Sequence, residues 1–446
     1  MIFSNADQVI RDSIKDTKYL FETLRQKQIN KHLDYYTNSE TDKYIRKYFK
    51  AKSFQEVPSI MLNITSRFIN KMARIYRIGA TRTVNEQYDG LTKYKNIKLK
   101  HIERMAKLLG TISCRIVYNE QKEIFDYNPI YYYNAFFNEN DPMTPVAITY
   151  PIHNLVHDVS MGKNMPYAYW DSNKMVVFNS SGKVIREMHH EYGILPFAFI
   201  HREPQIDQHF VEGASDIISC NETINILSSE LALGGRFQVF GQPVATGVHA
   251  DTNIVRAGTD EVILLPDGAT FDIVSPKGDL RGLIEIIKMM IETCATNNHL
   301  SVSFSRSGGE VDSGIALIIK DLERKEDYMD YVDLWMMYEN QIYDIESSIA
   351  FANGIRLPDS MGIDFNEPEY PRSTQDEIMF NQFMLDNNLT SYSKLLHNYN
   401  KDLKVDDASN VIQENIMENN QIRKQLNAEQ SQSILSRLRQ QNQEIE

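Results

Sequence analysis

Between Asp312 and Asn353 the chain runs without a proline, and Gly354 then supplies a residue suited to a left-handed stop. With Asp312 or Ser313 as the cap, the spacing predicts one helix of about 40 residues, or ~60 Å at 1.5 Å per residue. That is longer than one compact core needs. Such a helix is expected to cross the molecule or to bridge two layers of an assembly. Just before it, Ser301 to Glu310 has no apolar period and holds the adjacent Gly308 and Gly309, so it reads as a mobile loop. Before the loop, Leu280, Leu283, Ile287, Met290 and Cys294 step by 3, 4, 3 and 4, a narrow seam of the kind that packs against a neighbouring helix.

The same seam occurs a second time. Over Glu212–Leu233, predicted helical, Ile217, Cys220, Ile224, Leu227 and Leu231 repeat those steps, and the other faces are almost entirely Ser, Asn, Asp and Glu. A narrow seam with polar flanks suits lateral packing in a ring better than a globular core. Residues 237–279 separate the two helices. They hold Pro243, a strand pattern at Glu261–Leu265, the turn Pro266-Asp267-Gly268 and a second strand pattern at Thr270–Val274. This reads as a strand-rich insertion at the tip of a helical hairpin, its open edges available for pairing with another subunit.

The remainder is mixed. An amphipathic helix is expected over 5–35, a short one over about 41–50, a third over Ser59–Ile75 with Pro58 at its first turn, and a fourth over about 96–109 ending at Gly110. Strand patterns follow at Thr111–Tyr118, Glu123–Tyr133, Thr144–Tyr150, Tyr167–Trp170, Lys174–Phe178 and Val184–His190. The aromatic run Tyr131, Tyr132, Tyr133, Phe136, Phe137 suits cross-strand packing better than base stacking. Past Gly354, Pro358, Pro368 and Pro371 mark extended chain, and helices are expected at Ser373–Asp386 and Ser391–Leu396. The Gln- and Asn-rich stretch 407–446 is expected to be helical when paired in an assembly. The fold class is α+β, mainly helical with small antiparallel sheets.

Charge and chemistry narrow the function. Residues 1–110 hold 22 Lys+Arg against 11 Asp+Glu, while the rest holds 25 against 49, so a basic quarter precedes an acidic body. An acidic body is a poor tight binder of nucleic acid, since phosphate neutralisation supplies most non-specific affinity. Three scattered cysteines, Cys114, Cys220 and Cys294, form no Cys-x-x-Cys pair and fit a reducing interior. No apolar stretch approaches a membrane span and the first residues lack a signal pattern, so a soluble, unsecreted chain is expected. Gly182-Lys183 fails as a phosphate loop, because Val184 follows it. Glu323-Arg324-Lys325 lies inside the long helix, and His153 with His157 lacks a third ligand. No nucleophile–base pair is apparent, so no enzyme activity, metal or cofactor is expected and an architectural role is.

In this order the features resemble the portal proteins of tailed bacteriophages, the head–tail connectors through which DNA enters the capsid. The resemblance rests on the run Met61–Gly79, on Leu195–Ile200 followed by Glu212-Gly213-Ala214-Ser215-Asp216, and on Ser313-Gly314-Ile315-Ala316-Leu317 with Leu322 and Lys325. A fourth place is Asp386 to Ser391, where Asn388 stands for the family's usual glycine. The resemblance implies a portal-type fold assembled as a ring of twelve. It implies a wing at 1–210, a first stem helix at 211–236, a clip at 237–279 and a second stem helix at 280–297. A tunnel loop would follow at 298–312, a long wing helix with return strand at 313–370, and a crown at 371–446.

For residues, the resemblance implies a DNA-facing tunnel loop of Ser303, Phe304, Ser305, Arg306 and Ser307, with Arg306 touching phosphates and no base read. It implies channel-wall or intersubunit roles for Glu212, Asp216, Glu222, Glu230 and Lys288. Arg256, Glu261, Asp267 and Lys277 would meet the terminase or the adaptors. The partners implied are eleven further copies, double-stranded DNA, the terminase large subunit, tail adaptor or head-completion proteins, and major capsid and scaffold proteins, without a membrane. The place implied is the capsid vertex of the virion, reached through the host cytoplasm. Two other readings are a nucleic-acid-processing enzyme of the packaging machinery and a non-portal ring or adaptor of the virion.

Overall fold

The computed structural model describes residues 24–49, 59–152, 166–179, 183–247, 268–274, 278–300, 302, 314–366, 374–386, 389–400, 403–404, 407–422 and 424. The chain divides into two units, Met1–Pro368 and Glu369–Glu446. In the second unit, α9 (Thr374–Asp386) and α10 (Tyr392–Tyr399) lie within reach of each other, with Asn381 Nδ2 donating to the Tyr399 hydroxyl at 3.0 Å. Residues 407–422 are helical. Ile378, Phe383, Tyr392, Ile416 and Met417 of this unit are exposed.

The first unit begins with α1 (Leu24–Thr37), α2 (Thr41–Arg46) and α3 (Ile64–Met72). The third helix is shorter than its apolar pattern suggested. Ser59 to Asn63 is not helical, and Asn63 caps the helix by accepting from the Ser66 amide at 2.9 Å. The reason lies on a distant helix. Leu62 N–H donates to Asn225 Oδ1 at 2.8 Å, Ile64 and Thr65 N–H to Asn221 Oδ1 at 2.8 and 2.9 Å, and Ile60 N–H to Ser229 Oγ at 3.0 Å. Side chains thus take the place of the bonds that a longer helix would have made with itself.

After β1 (Ala80–Thr83), α4 (Glu86–Leu91) and α5 (Lys95–Leu109) come the strands. A three-stranded antiparallel sheet has the order β3 (Ile124–Ile130), β2 (Thr111–Asn119), β9 (Phe197–His201). A five-stranded one runs β4 (Asn134–Asn138), β5 (Asp141–Pro151), β6 (Tyr167–Trp170), β7 (Lys174–Phe178), β8 (Val184–His189). Ile130, Tyr133, Ile148, Tyr150, Trp170, Phe197 and Phe199 from the two sheets form one buried cluster. The aromatic run is therefore packing: Tyr133 lies against Phe199, Phe210 and His209, and Phe136 against Tyr169.

The long helix α8 (Gly314–Ala352) spans 39 residues and is followed by Gly354 at φ +79°. Its C-terminal half lies on β2 and β9 and buries Leu334, Trp335, Tyr338, Ile342, Ile345 and Ile349. Each such side chain contributes about 1.5–3 kcal/mol. The same face carries two fully buried carboxylates two helical turns apart, Glu339 and Glu346. Lys95 Nζ, itself fully buried, lies 3.1 Å from Glu339 and 3.0 Å from Glu346. Arg82 Nε donates to Glu339 at 3.0 Å, Tyr76 donates to Glu339 at 2.5 Å, and Tyr88 and Tyr127 donate to Glu346. Two cations thus meet two anions with the remaining lone pairs filled, the condition under which buried charge is tolerated. Burial alone would raise the Glu339 carboxyl, but Lys95 and Arg82 override it and hold it at about 2. Finally β12 (Gly362–Phe365), in the span where the resemblance implied a return strand, pairs antiparallel with β1, which the alternation pattern had not disclosed.

Candidate functional site

Between β9 and α8 stand the two seam-bearing helices, α6 (Ser215–Phe240) and α7 (Leu280–Asn297), packed together as a hairpin. Their root is welded to the sheet by close backbone crossing. Ala214 N–H donates to Leu108 O at 3.0 Å and Arg202 N–H to Gly110 O at 2.7 Å. The Arg202 guanidinium donates to Gly213 O at 3.0 Å. A Cβ on Gly110, at φ +85°, would stand 2.1 Å from Val211 O, and one on Gly213 would stand 2.4 Å from Leu108 O. Glycine is required at this crossing because any side chain would collide with main chain.

The two identical step patterns produce a rung-by-rung match. Asn298 Nδ2 donates to the Asp216 carboxylate at 2.8 Å, Cys220 and Cys294 share the rung one turn further along with the Cys220 Sγ 3.6 Å from Met290 O, and Gly234 faces Leu280 near the far end. The position numbers across each of these rungs have the same sum. The same antiparallel register therefore sets Ile224 across from Met290, Leu227 from Ile287 and Leu231 from Leu283. Ile217, Cys220, Ile224 and Cys294 are buried, and Leu283, Ile287 and Met290 are half-buried. Asp279 caps α7 by accepting from the Gly282 amide at 3.0 Å.

Outside the seam, α7 also leaves apolar side chains in water. Ile284, Ile286 and Met289 of α7 are exposed, Met289 at 58%. At the tip, α6 runs through Gly234 and Gly235 to Phe240, turns at Gly241 (φ +64°), and enters β10 (Gln242–Thr246). That strand pairs antiparallel with β11 (Thr270–Val274), from Gln242 opposite Val274 to Thr246 opposite Thr270. Among the described residues, the partner of Thr270–Val274 is the strand containing Pro243. In a two-stranded sheet both strands are edges, where proline is tolerated. Ile273 and Val274 are exposed there, Ile273 at 63%.

The sequence-derived site residues part company here. Glu212, Asp216 and Glu230 are exposed on or before α6, with Asp216 engaged by Asn298. Lys288 is half-exposed and pairs with Glu285 of its own helix at 2.9 Å. Glu222 is a correction. It is buried and paired with Lys31 at 2.7 Å and Lys47 at 3.7 Å, so it faces α1 and α2 and is withdrawn from any channel wall. Nor is the whole polar flank of α6 free for lateral packing, since Asn221, Asn225 and Ser229 hold the extended segment before α3. Their i, i+4, i+8 spacing was the available signal: three small amide or hydroxyl side chains on one helix face. Ser303, Phe304, Ser305, Arg306, Ser307, Arg256, Glu261, Asp267 and Lys277 lie outside the described residues. So do the strand pattern 261–265, the cap at Asp312 or Ser313, His153, His157 and Asn388, and all of the glycine-rich loop but Val302.

Near the root, burial pulls the His201 imidazole down to about 3 and that of His209 to about 4. The rings meet edge to face at 5.2 Å between centroids. His209 Nε2 lies 2.9 Å from the Tyr133 hydroxyl and Nδ1 lies 3.1 Å from Met143 O, so the neutral ring accepts at one nitrogen and donates at the other. Among the described residues no group of three or more His, Cys, Asp or Glu is arranged to hold a metal ion, and no helix is long and apolar enough to cross a membrane.

No known family model matches the chain, and no curated protein matches its sequence. Among solved structures, a chain of the virion of a native gene transfer agent particle is similar at 10% identity and a TM-score of 0.37, over 80% of this chain and 91% of that one. A likeness that slight carries no argument about function.

Proposed function

We propose that the chain is the subunit of a portal-type connector: a ring of twelve at one capsid vertex through which double-stranded DNA is packaged, retained and ejected. In this reading the ring docks the terminase motor first and the tail adaptors afterwards. The observation that carries it is the α6–α7 hairpin. Its seam is spent within the chain, yet apolar side chains remain exposed along α7 and at the two-stranded tip. A monomer leaving Ile284, Ile286, Met289, Ile273 and Val274 in water is a subunit awaiting neighbours. The 39-residue α8, one half of it anchored by the buried charge pairs, supplies a strut on which such columns can be held side by side. The acidic body is suited to DNA transit, because each neutralised phosphate steepens binding and would hold the duplex in place.

Native mass measurement and class-averaged images of the purified full chain test this. A closed ring with an axial bore is expected; a monomer, or a two-fold dimer without a bore, overturns it. Particles assembled without the protein yet still filled with DNA would favour the adaptor reading. Divalent-metal-dependent cleavage of DNA would favour the enzyme reading.

A further inference from the structure

The chain has three cysteines, all buried, and two of them fall on facing positions of the α6–α7 hairpin. Cys220 of α6 and Cys294 of α7 occupy one rung of the hairpin, one turn inward from the Asp216–Asn298 hydrogen bond. The Asn298 amide also donates to Cys294 O at 3.0 Å, so one side chain ties the end of α7 to the start of α6 beside the two thiols. The Cys220 thiol donates at 3.6 Å to Met290 O, the carbonyl one turn before Cys294 on the facing helix. We infer that Cys220 and Cys294 are a redox-responsive pair: reduced while the chain is made in a reducing compartment, they join as a disulfide once an oxidant reaches them, fixing the root of the hairpin.

Four features support the pairing. Both side chains are small, so the two helices can approach closely at that rung, as the Cα separation of a disulfide requires. The exposures, 9% for Cys220 and 8% for Cys294, contrast with 0% for Cys114, which the same oxidant should spare. The hydrogen bond from Cys294 holds the Cys220 thiol below its ordinary range, while that bond and burial raise Cys294. The same register runs from the Asp216–Asn298 rung to the Gly234–Leu280 rung, so no slip of either helix separates the two positions.

The exchange balances with a small disulfide such as oxidised glutathione. The Cys220 thiolate, its proton lost to solvent, attacks one sulfur of the oxidant and expels a glutathione thiolate, which takes up a proton. Cys294, deprotonated in turn, attacks Cys220 Sγ in the mixed disulfide and releases the second glutathione as thiol. The oxidant gains two electrons and the chain loses two. The new bond encloses the tip and most of both helices in one loop, and a cross-link of that length stabilises chiefly by restricting the unfolded chain. The inference rests on the hairpin register alone and stands whether or not the portal reading does.

The test uses the full chain, reduced and then incubated with oxidised glutathione under native conditions. Peptide mapping after alkylation should show the Cys220 peptide linked to the Cys294 peptide and Cys114 free. The unfolding midpoint should rise by several degrees and fall back on adding dithiothreitol. Cys294→Ser should remove that rise and leave glutathione on Cys220. Three alkylatable thiols in the treated wild-type chain would overturn the inference. So would glutathione adducts without a cross-link, or a cross-link that leaves the midpoint unchanged or lower. The wild-type map decides the matter even if the serine variant does not fold.

Discussion

The face of α8 that carries Glu339 and Glu346 and the α6–α7 hairpin start from the same material, apolar residues three and four apart on long helices. The first is finished inside the chain. Its apolar face is covered by β2 and β9, and its two carboxylates are matched by Lys95, Arg82 and three tyrosines. The second is finished only along one line. Its rungs close against each other while Ile284, Ile286, Met289 and the β11 edge stay in water. Helical spacing therefore states that a face will be buried and does not state by what. The α8 face holds a subunit together; the hairpin's outer faces are what a subunit has left to offer.

That contrast can be broken at several strengths. Lys95→Met strikes the α8 face hardest, because it leaves two buried carboxylates near one another with one cation fewer. A loss of about 3–5 kcal/mol in denaturant unfolding is expected, and a loss below 1 would mean the network contributes little. Gly213→Ala at the hairpin root should cost about 1–3 kcal/mol or more, since its methyl meets main chain that cannot rotate away. Asn221→Ala, measured the same way, should cost about 1–3 kcal/mol by stranding the Ile64 and Thr65 amides.

Acid should act next, through His201 and His209. Their folded values, about 3 and about 4, lie below the ordinary 6.5. The unfolded chain therefore binds protons first, and stability falls as pH drops below 6.5. The slope is about 1.4 kcal/mol per pH unit per histidine until the folded values are reached. Unfolding midpoints at pH 7 and pH 5 check this, and His209→Gln should flatten the dependence. The smallest effect on the single chain is expected from Ile284→Ser with Met289→Ser, within about 0.5 kcal/mol each as exposed positions. In the portal reading the same pair abolishes ring formation. Ring loss without destabilisation would separate the hairpin's outer face from the α8 face cleanly.

Much of this was legible beforehand, for local reasons. The long helix and its glycine stop followed from an unbroken period and the absence of proline. The hairpin helices followed from their repeated steps, and most strands from alternation between turn signals. The rung register itself was implicit in two identical step patterns once the helices were taken as antiparallel. What escaped was non-local. The short strand β1 has little alternation to read, and it exists because β12 arrives beside it. The burial of Glu339 and Glu346 has no local sign, because nothing near them in sequence supplies Lys95 or Arg82. Glu222 looked like a surface acid on a polar flank until Lys31, from a helix nearly two hundred positions earlier, was seen beside it.

The sequence by itself determined most of the segments that become helix or strand and the lines along them that must be hidden. Those depend on residues within a turn or two of each other. Only the tertiary structure decided which polar side chains are spent inside the chain and which apolar ones are left outside it. Pairing of charges and amides depends on proximity in space, and an orphaned buried group costs more than a satisfied one contributes. The Asn221 face of α6 and the Ile284 side of α7 show this directly: the polar face is the occupied one, and the greasy side is the one still facing water.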